Sequence, residues 1–212
     1  TAEVMPPRGG DPSHALEMAR GLKGHVHAVN VTDGSRAVMR MSSLAVARLL
    51  LDEGIEPVLQ MACRDRNRIA IQADLLGAHA LGIRNLLCLT GDPVRAGDQS
   101  KARPVNELES VRLLQQVTSF NRGDDPVKGQ LADGATDIFA GAAADPQCAS
   151  WSGLVRRMQR KKAAGARFIQ TQMVMDAAVL ERFCREIAEP MQLPVLAGVF
   201  LLKSARNASF IN

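Results

Sequence analysis

The sequence predicts an α/β fold, a parallel (β/α)8 barrel left incomplete at its C-terminal end, and three observations carry that prediction. Short runs rich in Val, Ile and Leu alternate with amphipathic stretches along the chain, the pattern of parallel strands joined by crossover helices. The units recur at roughly 25–35 residues, the spacing of barrel units. No G-x-G-x-x-G follows the first strand-like run, which disfavours the open doubly wound sheet and its dinucleotide fingerprint. Seven units can be read in a single domain spanning 1–212. An eighth strand is not evident.

Each element has a local reason. A strand at 1–5 stops at Pro6-Pro7. A helix follows over Ser13–Leu22, with Ser13 as its cap after Pro12. The apolar, β-branched run 26–32 is a strand ended by Asp33-Gly34. The helix 42–53 is closed by Gly54. Pro57–Ala62 is the third strand, and its helix over 66–81 is closed by Gly82. A strand at 85–90 runs into Gly91-Asp92-Pro93. Helix 106–120 leads into an irregular Gly- and Asp-rich loop at 121–134. Then come strand 136–142, helix 152–164 closed by Gly165, strand 167–172, helix 177–188 and strand 195–200. A last helix is expected to begin before Asn212, and residues are expected to precede Thr1.

Composition narrows the function. Hydrophobic residues make up 46% of the 212, enough to bury a sizeable core. Aromatics are only 3%, with no Tyr, so the stacking platforms of single-stranded nucleic-acid binders are missing. The net charge of +4 is scattered; no nucleic-acid partner is expected. Its one concentration is Arg156, Arg157, Arg160, Lys161 and Lys162. That run reads either as a solvated helix face or as a phosphate-binding face. Cys63, Cys88, Cys148 and Cys184 form no C-x-x-C pair, so no metal site is expected, and a reducing cytoplasm fits. No apolar run approaches the ~18 residues of a membrane span.

In a parallel barrel the chemistry sits at the C-terminal strand ends. There the sequence delivers Glu3, Thr32 with Asp33, Gln60, Gly91 with Asp92, residues 142–145, Gln172 and, after the last strand, Lys203. Glu3 lies among apolar neighbours, and a partly desolvated carboxyl is raised in pKa and suited to acid catalysis; the plain reading is an exposed Glu near a terminus. Gly91 permits close backbone approach to a ligand, though Gly91-Asp92-Pro93 also reads as a simple turn. Gln172 ends an apolar strand, and a buried amide needs partners on both its faces. Thr32 and Gln60 are weaker signals singly. Together these residues point to one mouth.

At these positions the chain resembles the methylenetetrahydrofolate reductase family. The resembling motifs are Glu3-Val4-Met5-Pro6-Pro7, Val31-Thr32-Asp33-Gly34, Gly91-Asp92, Ala164-Gly165-Ala166, Thr171-Gln172 with Asp176, and Ala197-Gly198. The runs HAVNVTD, AVMRMSSLA, CRDRNRIAIQADLLGA and GIRNLLCLTGD resemble an acetogen-type branch. The resemblance implies flavin-dependent reduction of 5,10-methylenetetrahydrofolate to 5-methyltetrahydrofolate, with FAD as cofactor and FMN as the alternative. It implies Glu3 as the acid that opens the folate ring and Asp92 as a second catalytic group beside flavin and folate. Thr32, Gly91, Asp92, Arg160 and Lys161 become cofactor contacts, the last two at phosphates. Gln60 and Gln172 become substrate contacts. The chain departs from NAD(P)H-using members in having Gln60 for a His, Thr90 for an Arg, Ala144 for a Tyr and Met173-Val174-Met175 for an aromatic run. The implied electron donor is therefore NAD(P)H or an iron-sulfur partner subunit, in an oligomer. Two other classes stay open: a flavin-free pterin-binding methyltransferase component, and a non-catalytic scaffold subunit.

Overall fold

The computed structural model describes residues 1–202, 204 and 205. Seven parallel strands pair in strictly sequential order: β1 Ala2–Val4, β2 Val29–Val31, β3 Pro57–Ala62, β4 Asn85–Leu89, β5 Phe139–Ala144, β6 Phe168–Met173 and β7 Val195–Gly198. Six helices connect them: α1 Ser13–Leu22, α2 Ser43–Asp52, α3 Arg68–Ala80, α4 Ser110–Asn121, α5 Trp151–Ala163 and α6 Ala177–Phe183, which runs on through a π-helical turn at Cys184–Ala188. The sheet curls into a barrel-like arc. Among the described residues no strand joins β7 to β1, so the full count of eight units is not reached. The expected last helix, and Lys203 with it, lies outside the described residues except for Ala205.

Strand periodicity sets which side each residue faces. One parity, Val4, Val29, Val31, Leu59, Met61, Leu86, Cys88, Ala140 and Ala142, packs against Val46, Leu50, Leu75, Leu113, Val117 and Phe120 of the helices. The opposite parity gathers Val58, Leu87 and Phe168, with Ala28, Leu89, Phe139 and Leu196, on the concave side. There the Phe139 and Phe168 rings stack at 5.5 Å. Gly141 lies directly beneath Phe168, where a Cβ would stand 2.2 Å from the ring. A second outer cluster of Leu154, Met158, Ile169, Phe183 and Ile187 seats α5 and α6.

Several boundaries differ from expectation for tertiary reasons. Helix α1 has the expected span, but Pro12 holds the N-cap position and Ser13 is the first helical residue, its N–H and hydroxyl donating to Asp11 Oδ1. β2 starts at Val29 because the His25 and Val26 N–H groups still bond Leu22 O at the end of α1. α4 starts at Ser110, not residue 106. The Val105 and Asn106 N–H groups are tethered to Arg64 O, Asn106 has φ 46, and the Ser110 N–H bonds Thr90 Oγ1. β7 ends at Gly198, where Gly198 N–H bonds Thr171 Oγ1.

β5 starts at Phe139 and runs to Ala144, because Asn121 takes over the preceding residues. Its Oδ1 accepts from the Thr136 hydroxyl at 2.7 Å and the Ile138 N–H at 3.0 Å, and its amide donates to Ile138 O at 2.8 Å. At roughly 0.5–1.5 kcal/mol per bond, Asn121→Ala is expected to lower unfolding free energy by about 2–3 kcal/mol, read as a lower urea midpoint at unchanged slope.

Candidate functional site

The C-terminal ends of β1 to β3 present a polar surface on the concave face. Glu3 pairs in register with Asn30, and Asn30 with Val58; these positions share the parity of the apolar floor. Glu3 remains open to solvent across the arc, yet surrounding protein desolvates its carboxyl and pushes the pKa up, while a hydrogen bond with the Gln60 side chain pulls the other way. Gln60 is buried. The structure thus brings two of the expected site residues into direct contact across β2.

Beneath that contact lie two orphan groups. Asn30 is 3% and Thr32 2% exposed, and neither Asn30 Oδ1 nor Thr32 Oγ1 has a hydrogen-bond partner. Gln170 Oε1, on the same concave parity of β6, is likewise unpartnered. Buried polar atoms are normally satisfied, so three orphans facing one concavity mark a surface built for a polar ligand. Asn30 and Gln170 escaped the sequence reading. Only strand pairing reveals that they share a face with Glu3.

Asp33 performs a different task. Its Oδ2 accepts from Arg66 Nη1 at 2.6 Å and from the Ala62 N–H at 2.8 Å, locking the ends of β2 and β3 together. At β4, Gly91 adopts φ 96, and a Cβ there would meet Arg64 Cβ at 2.8 Å and Ala62 Cβ at 3.2 Å. The glycine therefore admits the neighbouring strand, not only a ligand. Asp92 is exposed; its Oδ2 accepts the Arg36 N–H at 2.6 Å, and its carbonyl accepts from Arg64 Nη1 at 3.2 Å. Gly91 and Asp92 border a cleft of about 840 Å³ shared with Arg64, Asn106, Glu109 and Arg112.

A smaller cleft of about 200 Å³ opens between β5, β6 and α5, and it contains Lys161, Arg157, Asp145 and Gln172. Lys161 Nζ donates to Ala143 O at 2.6 Å. Burial, seconded by the Arg157 charge, pulls the Lys161 pKa down, against Cys88 and Glu109. The basic run therefore divides by helical spacing: Arg157 and Lys161, one turn apart, face the cleft. Arg160 does not; its Nη2 pairs with Glu109 Oε1 at 2.8 Å. Simple alternation would put Gln172 beside Gln170 on the concave face. A register irregularity between Gln170 and Met173 instead brings it into the cleft with Lys161.

The site thus has three stations: Glu3, Thr32 and Gln60 at β1 to β3, Gly91 and Asp92 at β4, and Lys161 with Gln172 at β5 and β6. Among the described residues no helix is long and apolar enough to cross a membrane.

Comparison with known proteins gives this geometry a context. The family model described as methylenetetrahydrofolate reductase matches residues 1–212. A Caenorhabditis elegans protein named "Probable methylenetetrahydrofolate reductase (NADPH)" is 26% identical over 208 residues, covering 93% of this chain and 29% of its own length. The chain thus spans under a third of that relative. Among solved structures, a Clostridium thermocellum protein that binds two copies of 5-methyl-5,6,7,8-tetrahydrofolic acid superposes with TM-score 0.58 at 10% identity, over 92% of this chain and 64% of that one. A 2,3-dimethylmalate lyase of the PEP mutase/isocitrate lyase superfamily superposes with TM-score 0.59 at 14% identity, over 99% and 70%. At such identities these two likenesses concern the fold alone.

Proposed function

The chain belongs to the methylenetetrahydrofolate reductase family, and from that premise we propose that it forms most of a (β/α)8 barrel that reduces 5,10-methylenetetrahydrofolate to 5-methyltetrahydrofolate with a bound flavin. The observation that carries the reading is the Glu3 carboxyl, raised in pKa by burial and touched by Gln60, on a concave face that also holds three unpartnered buried acceptors.

The residues present fit a flavin. Thr32, Asn30 and Gln170 offer hydrogen-bonding atoms to the edge of a flat heterocycle, and Phe139, Phe168, Val58 and Leu87 offer an apolar floor. Lys161 and Arg157 supply cationic donors where phosphates would lie, and Arg160 would join them by exchanging Glu109 for a phosphate. The flavin, FAD or else FMN, would supply the hydride. The protein supplies position and protons. Glu3, protonated, delivers its proton to the ring nitrogen of the folate as the C–N bond breaks, leaving an electrophilic iminium. Gln60 orients that carboxyl. Asp92 would accept hydrogen bonds from the pyrimidine edge, and Gln172, at the β5–β6 cleft, would offer its amide to the pterin. NAD(P)H or an iron-sulfur partner subunit would return electrons, in an oligomeric assembly in the cytoplasm.

The test is a visible spectrum of the purified protein. Flavin bands that bleach on reduction and return when methylenetetrahydrofolate is added are the expected result. A colourless protein that neither FAD nor FMN reconstitutes would overturn the reading in favour of flavin-free pterin binding. The phosphate station has its own check. A charge-assisted hydrogen bond contributes about 1.5–3 kcal/mol, so Lys161→Met is expected to weaken flavin affinity about 10- to 100-fold, measured by quenching of flavin fluorescence.

A further inference from the structure

Besides its place among the groups facing the proposed flavin, Asn30 has a setting that ties it to Glu3. The side chain is 3% exposed, no hydrogen bond engages its Oδ1, and it lies on the concave face in register with Glu3. Glu3 reaches Gln60, which belongs to the strand beyond β2. Its side chain therefore crosses β2 at the height of that strand's inward residues, Asn30 and Thr32.

These neighbours differ in chemistry. The Gln60 amide donates to the carboxyl and favours its ionised form. The Thr32 hydroxyl can donate or accept. The carbonyl oxygen of Asn30 can only accept, and leaving it buried without a partner is unfavourable. Glu3 can satisfy it only while carrying a proton. No charged side chain of the described residues is among the influences on the Glu3 carboxyl. Of the charged groups on flanking segments, Asp33 pairs with Arg66, and Arg40 donates through Nη1 to Pro6 O while its Nε has no partner.

We propose that Asn30 is a positioning residue that accepts a hydrogen bond from the protonated Glu3 carboxyl, so that one oxygen of Glu3 is held by Gln60 and the O–H is held by Asn30. The contact keeps the proton on Glu3 and aims it across the mouth. Its use in acid catalysis rests on the reductase reading; the contact itself does not.

The test needs neither flavin nor folate. The full chain is labelled with carboxyl-13C glutamate, the Glu3 resonance is assigned by its loss in Glu3→Gln, and its titration is followed in Asn30→Leu and Gln60→Leu. Asn30→Leu keeps the volume and apolar burial but removes the acceptor, so the Glu3 midpoint is expected to fall. Gln60→Leu removes the donor, so the midpoint is expected to rise. A Glu3 midpoint unchanged or raised in Asn30→Leu overturns the proposal, and so does a fall in both variants, which would mean that water entry alone governs the carboxyl. Asn30→Val, which likewise removes the acceptor, repeats the first arm should Asn30→Leu lose its native amide spectrum. If the midpoints move as expected while the wild type reduces no folate, Asn30 stands and the reductase reading falls.

Discussion

Glu3→Gln is expected to lose the folate half-reaction by about 10²- to 10⁴-fold, the range for removing a positioned general acid, while flavin binding and flavin reduction persist. Gln retains the shape and the contact with Gln60 but has no proton to give at a folate nitrogen. Stopped-flow oxidation of the reduced protein by methylenetetrahydrofolate reads the step directly. Loss of both half-reactions together would place Glu3 in flavin binding, and loss of neither would remove it from the chemistry. The pH dependence carries a definite sign. Burial raises the Glu3 pKa, and the acid is active only when protonated. Folate reduction therefore falls as pH rises through that raised value. Gln60→Leu should carry this limb to higher pH, because the amide that favours the carboxylate is gone.

The same shift enters stability. A carboxyl whose pKa is higher in the folded than in the unfolded chain contributes stability that is complete below the unfolded value. That contribution is lost as pH rises through the folded one. Glu3→Gln, uncharged throughout, should flatten that loss.

Most of the fold was legible because a parallel sheet with helices on one side writes a local pattern. β3 at Pro57–Ala62 and α1 at Ser13–Leu22 could be read to the residue. The failures lie where a distant group decides. Nothing near residue 106 announces that Arg64 O will capture the Val105 and Asn106 N–H groups, and nothing near residue 136 says that the Asn121 side chain will stand in for a strand partner. The site follows the same division. Glu3, Gln60 and Asp92 were readable as polar groups at strand ends. Asn30 was not, because a short strand buried on both faces shows no alternation, and only its pairing with β1 reveals its side. Gln172 was readable as a site residue, yet its placement with Lys161 depends on an irregularity in β6 that no local residue type signals.

The Asp33–Arg66–Asp74 cluster carries the second large effect. Arg66 Nη1 meets Asp33 Oδ2 at 2.6 Å and Arg66 Nε meets Asp74 Oδ2 at 2.8 Å, and Nη1 also donates to Ala62 O at 3.0 Å. The Arg66 and Asp33 side chains are 18% and 11% exposed, so solvent screens this pair less than the other ion pairs of the surface. Removing one partner leaves the other charge desolvated and uncompensated. Arg66→Met is therefore expected to lower unfolding free energy by about 3–5 kcal/mol, read from urea denaturation. Asp33→Asn with Arg66→Met should recover part of that loss, since no unpaired charge then remains between β2 and β3, although Asp74 stays unmatched at the edge. The functional consequence follows from position. Asp33 is adjacent to Thr32, and Ala62 lies two residues beyond Gln60, so the cluster fixes the strand ends that aim both groups. Arg66→Met should weaken flavin binding even under conditions where the chain stays folded. A variant that loses stability but binds flavin as the wild type does would make the cluster a clamp on the fold alone, with Thr32 and Gln60 held by the strands themselves.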